Sequence, residues 1–291
     1  MMRLSFCTLN SYCSLEQALI AILNCSRSQI KKFYSAQQRL KKIAAKQEID
    51  CPIDLINFSR VNPNYNGNQI QILTKNSDFL IFHKPIKVHS TSLNYTCQNN
   101  IECWLRANGH ALPSADSGLL YRLDYETSGL MIVCLNIKSY QQLRQNFQQL
   151  IKHKTYLAVV TGHIKQTLDL QHFLELKKKK VRVFHETSPH RVMANLNIDP
   201  LAHSSLNGQD ITLVKIQLQQ GHRHQIRAQL AACHYPILGE QLYATSDYHR
   251  LMLHAYSYQW QWNHEDYSFL DDQIIDFELL FPDLLHLHSG L

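Results

Sequence analysis

A series of short apolar runs, separated by polar segments, most constrains what this chain can fold into. None of the runs approaches the ~20 residues that a membrane helix needs, but their length is typical of buried β-strands. Apolar residues with helical spacing lie between several of them. The pattern predicts strands at residues 79–83, 130–135, 155–160, 195–198 and 211–218. It predicts helices at residues 101–107, 138–152 and 224–233.

The first part of the chain has a different character. Residues 14–46 favour three short helices, the first capped by Ser14 and the third spanning residues 37–46. Residues 50–68 are rich in Pro, Asn and Gly, which interrupt regular structure. We therefore expect two domains, an N-terminal one at residues 1–75 and a larger one at residues 76–291.

Charge is distributed unevenly along the 291 residues. Residues 1–260 hold all 29 Lys and Arg against 16 acidic residues, whereas residues 261–291 hold seven acidic residues and no Lys or Arg. A cationic excess of this size indicates either a polyanionic partner such as nucleic acid or charge that serves solubility alone. The Lys177–Lys180 run leaves the same two interpretations open.

The eight cysteines are scattered, and no two form a C-x-x-C pair. Such cysteines are typical of small buried hydrophobes in a reducing compartment, not of a zinc or redox site. The N-terminus has no apolar signal-peptide core. We expect a cytoplasmic monomer without a membrane segment, metal or other cofactor.

A basic cluster follows the predicted cap at Ser26. Arg27, Lys31 and Lys32 lie within six residues at the start of a short helix, where positive charge opposes the helix dipole. Phosphates or solvent would have to compensate for that charge. The stretch resembles the start of the second helix in S4-type RNA-binding modules, and the resemblance implies that these three residues bind RNA. The alternative is a helical extension that packs on the main domain.

The densest group of polar residues precedes the apolar run at 130–135. Residues 121–130 read Y-R-L-D-Y-E-T-S-G-L. If this stretch is extended, Arg122 and Asp124 project to one face and Leu123 to the other. A carboxylate in a loop beside a buried strand suits a cleft, although Arg122 and Asp124 could equally form a surface pair at a simple turn.

A second dense group lies at residues 219–230. Its sequence, Q-Q-G-H-R-H-Q-I-R-A-Q-L, predicts a helix that begins near His224 and presents Ile226 and Leu230 to the core. Arg227 lies three residues after His224 on one side of that helix. The nearby histidines invite a zinc interpretation, but there is no H-E-x-x-H motif or second cysteine pair to support it.

Taken together, these segments resemble the RluA-type family of RNA pseudouridine synthases, over about residues 78–260. The family's H-R-L-D-x-x-T-S-G-L loop is matched at 121–130, and its K-x-Y-x-A strand at 154–158. Its G-R-x-H-Q-I-R and H-P-I-L-G-D-x-x-Y motifs are matched at 221–227 and 234–243, and its L-H-A motif at 253–255. An early N-K-P motif is matched by H-K-P at 83–85. All six motifs occur in the family's order.

Five positions depart from the family pattern. Tyr121 replaces a histidine, His222 replaces an arginine, Glu240 replaces an aspartate, and Ile86-Lys87 stand where the family has Ala-Gly. These departures leave Asp124, the carboxylate matched to the family's catalytic one, in place. They indicate a divergent member that acts on a different RNA.

The resemblance implies an α+β fold with a long, mixed and mostly antiparallel central sheet that holds a catalytic cleft. It implies isomerisation of uridine to pseudouridine in structured RNA, ribosomal or transfer, without a cofactor. Asp124 would be the catalytic carboxylate, as nucleophile at C1′ or base at C2′, and Arg227 would pair with it. Tyr156 would stack on the extruded base, Leu253 would line the pocket, and Arg122 would contact the RNA beside it.

A rival hypothesis is an RNA-binding or RNA-folding protein that has the same scaffold but impaired catalysis. The altered loop motifs motivate it, whereas retention of Asp124, Tyr156 and Arg227 favours the enzyme.

Overall fold

The computed structural model describes residues 3–23, 25–52, 55, 67, 69–91, 100–112, 117–177, 180–218 and 220–283. They belong to two compact units: Met1–Gly67 with His89–Gly118, and Asn68–Val88 with Leu119–Leu291. This grouping assigns residues 68–75 to the second unit and residues 89–118 to the first, whereas the sequence prediction divided the chain at residue 75. Among the described residues, no helix has both the length and the hydropathy required to cross a bilayer.

The first unit contains a two-stranded antiparallel sheet and short helices. Strand β1 (Arg3–Cys7) pairs with β2 (Glu48–Pro52). Between them lie α1 (Leu15–Leu23), α2 (Arg27–Ile30) and α3 (Ala36–Leu40), and α4 (Ile101–Ala107) follows later in the chain. A core that includes Leu19, Ile30 and Cys51 holds α1 and α2 against the sheet.

The caps of these helices follow the sequence. Ser14 accepts a hydrogen bond from the backbone of Gln17 at 3.1 Å, as its position before α1 predicts. Ser26 and Gln29 form a reciprocal capping box at the start of α2. The third helix, expected to reach residue 46, ends at Leu40 because Ile43 is buried and its backbone pairs with Tyr12.

The second unit is built on a ten-stranded sheet. Its strands are β3 (Gln71–Lys75), β4 (Phe79–Lys84), β5 (Ser128–Cys134), β6 (Ile151–Thr161), β7 (Leu168–Glu175), β8 (Arg182–Phe184), β9 (Val192–Leu206), β10 (Gln209–Leu218), β11 (Leu253–Trp262) and β12 (Glu265–Leu270). The helices are α5 (Ile137–Leu150), α6 (Gln225–Ala232) and α7 (Ile275–Glu278).

The strand order is β3-β4-β5-β11-β6-β10-β9-β7-β8. Strand β12 pairs with residues Ser257 to Trp262 of β11, beyond the two residues that pair with β5. Only the short contact between β5 and β11 is parallel, so the sheet is mixed and mostly antiparallel, as expected. Strands β4 and β5 are buried along their whole length, in agreement with their continuous apolar sequence. Strands β5, β6 and β11 therefore form the middle of the sheet, where the candidate site lies.

Candidate active site

Asp124 lies in the loop that leads into β5. Leu123 is buried beneath this loop, whereas the side chain of Arg122 is exposed and that of Asp124 is 25% exposed. Alternation of burial over three residues is what an extended stretch produces. The loop is closed by a hydrogen bond from the Thr127 N–H to the Asp124 carbonyl at 3.2 Å. It thus presents the carboxylate of Asp124 to solvent at the edge of a buried strand, and Glu126 of the same loop is also partly exposed.

Helix α6 brings two basic side chains to this carboxylate. Nη1 of Arg227 lies 3.7 Å from Oδ2 of Asp124, and Nε2 of His224 lies 3.8 Å from Oδ1. Both distances exceed that of a hydrogen bond, but catalytic contacts are often long until substrate is bound. Each oxygen of Asp124 therefore faces a different nitrogen-bearing side chain.

Arg227 is held mainly by another carboxylate. Its Nε and Nη2 donate to Oε2 and Oε1 of Glu240 at 2.6 and 2.8 Å, and both side chains are almost completely buried. Nη2 also lies 2.8 Å from Oε2 of Glu126. A bidentate arginine–carboxylate pair fixes the guanidinium plane, so Nη1 is left to face Asp124.

Glu240 is anchored on its other side by the backbone. The N–H groups of Leu242 and Tyr243 donate to its Oε1 at 2.7 and 3.2 Å. Burial alone would raise the pKa of Glu240, but the hydrogen bonds and charge of Arg227, with these backbone donors, hold that pKa below its ordinary value. The departure from the family's aspartate thus keeps an ionised carboxylate under Arg227.

Tyr156 is on β6, opposite Ala255 of β11, and is buried. Its hydroxyl lies 2.7 Å from that of Tyr258, and Tyr258 stacks on Tyr121 with ring centroids 4.8 Å apart. Burial raises the pKa of Tyr156 to about 12, and the nearby charge of Asp124 acts in the same direction. Tyr156 is therefore a neutral aromatic side chain close to the Asp124 carboxylate.

Leu253 and Lys84 are two further buried residues near Asp124 and Tyr156. Leu253 is buried on β11 opposite Ala158, two residues along β6 from Tyr156. Lys84 is fully buried, and its Nζ donates to the carbonyls of Pro85 and Val88 at 2.8 and 2.9 Å. The negative charge of Asp124 also interacts with its ammonium group. Burial lowers the pKa of Lys84 to about 7.

The structure brings Asp124 and Arg227 together, with Tyr156 and Leu253 on neighbouring strands, as the motifs suggested. Arg122 is exposed on the Asp124 loop. Sequence reasoning gave no role to Glu240, Glu126 or His224, although all three lie within the quoted motifs. Glu126 and His224 stand in the motifs that supplied Asp124 and Arg227, and Glu240 stands in the motif at 234–243. Their place in these motifs was the signal that could have found them.

The basic residues of the N-terminal unit are less alike than the sequence suggested. Nε of Arg27 lies 3.1 Å from Oε1 of Glu16, so an acidic side chain already compensates part of its charge. Lys31 and Lys32 are exposed. Their role in RNA binding stays a prediction.

Comparisons with known proteins identify the class of protein. Residues 78–232 match the family model described as RNA pseudouridylate synthase. Two human structures, RNA pseudouridylate synthase domain containing 1 and domain containing 4, share the fold with TM-scores of 0.59 and 0.55. Both are 19% identical in sequence; they cover 76% and 73% of this chain, which spans 95% and 93% of theirs.

Curated relatives point to one branch of that class. This chain is 32% identical to the dual-specificity RNA pseudouridine synthase RluA of Yersinia pestis over 199 residues. The matched region covers 66% of this chain and 87% of that protein. An uncharacterized RNA pseudouridine synthase of Helicobacter pylori is 28% identical over 237 residues, 78% of this chain and 74% of that protein. The chain belongs to the RNA pseudouridylate synthase family and is of the RluA type. It is an RNA pseudouridine synthase, an isomerase, and the activity expected from the motifs is confirmed.

Proposed function

We propose that Asp124 is the catalytic carboxylate of this isomerase and that its substrate is a uridine in structured ribosomal or transfer RNA. The observation that carries the assignment is the position of Asp124. It is a partly exposed carboxylate whose two oxygens face Arg227 and His224. The neighbouring Glu240 is buried and committed to Arg227.

The reaction breaks the N1–C1′ bond of uridine, turns the base and joins C5 to C1′, while the proton on C5 is lost and N1 gains one. The target nucleotide has to leave its stack to reach Asp124, which costs a few kcal/mol. Asp124 acts as nucleophile at C1′ or as base at C2′. Arg227 keeps it ionised, and the neutral ring of Tyr156 stacks on the extruded base, with Leu253 at the pocket wall.

RNA outside the pocket is held by basic side chains. Arg122, exposed on the same loop as Asp124, contacts the RNA beside the extruded nucleotide. The N-terminal unit acts as an S4-like module in which Arg27, Lys31 and Lys32 contact phosphates. The relatives' names support ribosomal RNA: one from Borreliella burgdorferi, 28% identical over 144 residues, is a ribosomal large subunit pseudouridine synthase. We further propose that the enzyme acts as a cytoplasmic monomer.

The decisive experiment replaces Asp124 with asparagine. Asp124→Asn removes the ionised oxygen and keeps the shape, so pseudouridine formation on a stem-loop RNA should fall below detection. RNA affinity should stay within a few-fold of the wild type, because losing a negative charge does not weaken binding to a polyanion. Glu126→Gln, a neighbouring carboxylate changed in the same way, is the matched control and should retain turnover. Wild-type turnover by Asp124→Asn would refute the assignment.

The substrate is tested separately. Mapping pseudouridines in the cellular RNA with and without this protein should reveal a lost site in ribosomal or transfer RNA. Loss confined to another RNA class would overturn the substrate proposal and leave the chemistry intact.

A further inference from the structure

His224 has an unusual backbone conformation at the start of α6. It adopts φ 53° and ψ 19°, in the left-handed region that residues other than glycine seldom occupy, and its side chain does not cap the helix. Strain of this kind persists where the surrounding structure enforces it, often at functional sites. Here it accompanies an imidazole with two polar neighbours. Nε2 faces Asp124 at 3.8 Å, and Nδ1 lies 3.0 Å from the hydroxyl of Tyr243.

The hydrogen bonds at Tyr243 favour one position for the imidazole proton of His224. The Val181 N–H can only donate, and it donates to Oη of Tyr243 at 2.9 Å. The proton of Tyr243 is then available for Nδ1 of His224. An imidazole that accepts at Nδ1 carries its proton on Nε2, the atom that faces Asp124.

The charge state of His224 agrees with this arrangement. Burial lowers its pKa below the ordinary value, and this effect outweighs the attraction of Asp124. Arg227 and Arg223 add repulsion in the same direction as burial. A neutral imidazole has one N–H, so the choice between the two nitrogens matters.

We propose that His224 is a positioning residue for Asp124, with its tautomer set by the hydrogen-bond chain from Val181 through Tyr243. The inference rests on the proposed function, in which Asp124 does the chemistry. Nε2–H directs a donor at Oδ1 while Arg227 faces Oδ2. The two donors together fix the plane of the carboxylate and favour its ionised form.

Loss of the Nε2 donor has a measurable signature in the pH profile. The carboxylate would take up a proton more readily, so the acidic limb of the kcat profile should move to higher pH. The other titratable or charged groups around His224 and Asp124 remain in place when only His224 is replaced. They are Lys84, Glu126, Tyr156, Arg223, Arg227, Glu240 and Tyr243.

Two amide substitutions separate the nitrogens of His224. The amide of His224→Gln reaches the place of Nε2 and can still donate to Asp124. The shorter amide of His224→Asn reaches only the place of Nδ1, where it contacts Tyr243. We expect His224→Gln to keep kcat within a few-fold and its acidic limb unshifted. We expect His224→Asn to lose about 10- to 100-fold in kcat, with little change in KM. The acidic limb of its kcat–pH profile should move to higher pH.

A structural role predicts the opposite order. Asparagine tolerates the left-handed backbone better than glutamine does, so relief of strain alone would make His224→Asn the milder variant. Equal kcat values and unshifted limbs in both variants, or a milder His224→Asn, would overturn the proposal. Asp124→Asn is measured beside them: turnover by that variant refutes the proposed function itself, whereas its inactivity with unaffected His224 variants refutes only the role of His224.

Tyr243→Phe tests the chain without touching the imidazole. It removes one oxygen and leaves His224 free to take either tautomer, so kcat should fall several-fold with KM unchanged and the limb shifted in the same direction as in His224→Asn. The melting temperature of each variant is recorded. If neither His224 variant folds, Tyr243→Phe decides alone, and an unchanged kcat profile overturns the proposal.

Discussion

Arg227 faces three carboxylates, and their burial and their distances from the guanidinium together assign their roles. Glu240 is fully buried, Glu126 is 36% exposed and Asp124 is 25% exposed. A buried guanidinium needs a buried counter-charge, because an unpaired charge away from water is very costly. Glu240 supplies that counter-charge, and Glu126 lies 2.8 Å from Nη2 of Arg227. Asp124, at 3.7 Å from Nη1, is the carboxylate that is left free to meet substrate.

Stability measurements on the two glutamates follow from this difference. Glu240→Gln leaves the buried Arg227 without its main counter-charge and should lower the free energy of unfolding by about 3–5 kcal/mol. Glu126→Gln removes a half-exposed partner and should cost about 1 kcal/mol or less. Urea titrations of both variants and the wild type measure the two changes. Equal losses would contradict the role given to Glu240.

Tyr156 offers a test of stacking against hydroxyl chemistry. Its hydroxyl is bound to Tyr258 and its pKa is raised to about 12, so the ring is the part suited to contact a base. Tyr156→Phe should therefore retain more activity than Tyr156→Leu, since stacking on an aromatic ring contributes about 1–3 kcal/mol. Single-turnover rates on one stem-loop RNA compare them. Similar rates for the two variants would argue against stacking.

Local sequence located the central pair of the site but not its support. Asp124 and Arg227 stand in motifs with fixed spacing, so their approach could be predicted. The bidentate ion pair between Arg227 and Glu240 joins residues that are thirteen positions apart in sequence. No local sequence pattern reveals which carboxylate pairs with the guanidinium. The contact between Arg27 and Glu16 was missed for a similar reason, since it joins two helices.

At the scale of elements, the contact between β5 and β11 depends on Gly129. Gly129 pairs with Ala255 and has φ +119°, and a Cβ at this position would lie 2.4 Å from the Ala255 carbonyl oxygen. No side chain fits without moving one of the two central strands. The glycine of the 121–130 motif thus serves the sheet rather than the reaction.

Two glycine substitutions separate steric clash from backbone strain. Gly208, in the turn between β9 and β10, also has a positive φ, but a Cβ there meets no atom within 4 Å. Gly208→Ala should cost about 1–2 kcal/mol of unfolding free energy through strain. Gly129→Ala should cost about 1–3 kcal/mol more, because overpacking is added. Thermal unfolding measures both, and equal shifts would show that Ala255 yields without cost.

The elements that the sequence predicted correctly were those in which the spacing of apolar residues indicates one type of secondary structure. The apolar runs became β4, β5, β6, β9 and β10, and the helical spacings became α4, α5 and α6. Strands β7, β8, β11 and β12 were not predicted. They are polar on one face or lie at the edge, as the alternating exposure of β7 and β12 shows. Their strand state comes from pairing with neighbours distant in sequence, which local composition does not reveal.

On the scale of the whole molecule, the cationic excess predicts salt-dependent RNA binding. Lys31 and Lys32 are exposed in the N-terminal unit, whereas Arg27 is partly neutralised by Glu16. Each phosphate contact contributes about 0.7–0.9 to the slope of log affinity against log salt. Replacing both lysines by alanine should therefore lower that slope by about 1.5 and raise KM, with kcat kept. Exposed Lys165, changed to alanine, is the control. An unchanged slope in the double variant would rule out phosphate contacts by Lys31 and Lys32.

A buried network gives the folded protein a characteristic pH dependence. Nη2 of Arg250 donates to Oγ of Ser128, which lies 2.9 Å from Nδ1 of His254, while Nε2 of His254 lies 3.0 Å from the Asp271 carbonyl. Nε2 thus carries the proton, and Nδ1 accepts from Ser128. A second proton on Nδ1 would break that bond inside the sheet.

The free energy of unfolding of the wild type should decrease in mild acid because of this network. Burial lowers the pKa of His254 to about 4, against about 6.5 in an unfolded chain. Between those pH values the unfolded state binds the extra proton, so the free energy of unfolding falls as pH falls, by roughly 3 kcal/mol from this residue. Asp271 has a lowered pKa and loses its contribution only below about pH 4, so its effect falls outside this window.

His254→Asn isolates the contribution of His254. Its amide still reaches Ser128 but does not titrate, so the variant should be less stable than the wild type at pH 7 and its stability should decline less between pH 6.5 and 4. Some slope should remain, because burial also lowers the pKa values of His172, His222 and His224. Urea denaturation at half-unit pH intervals measures both curves. Parallel curves for the two proteins would show that His254 takes up its proton in the folded state as readily as in the unfolded chain.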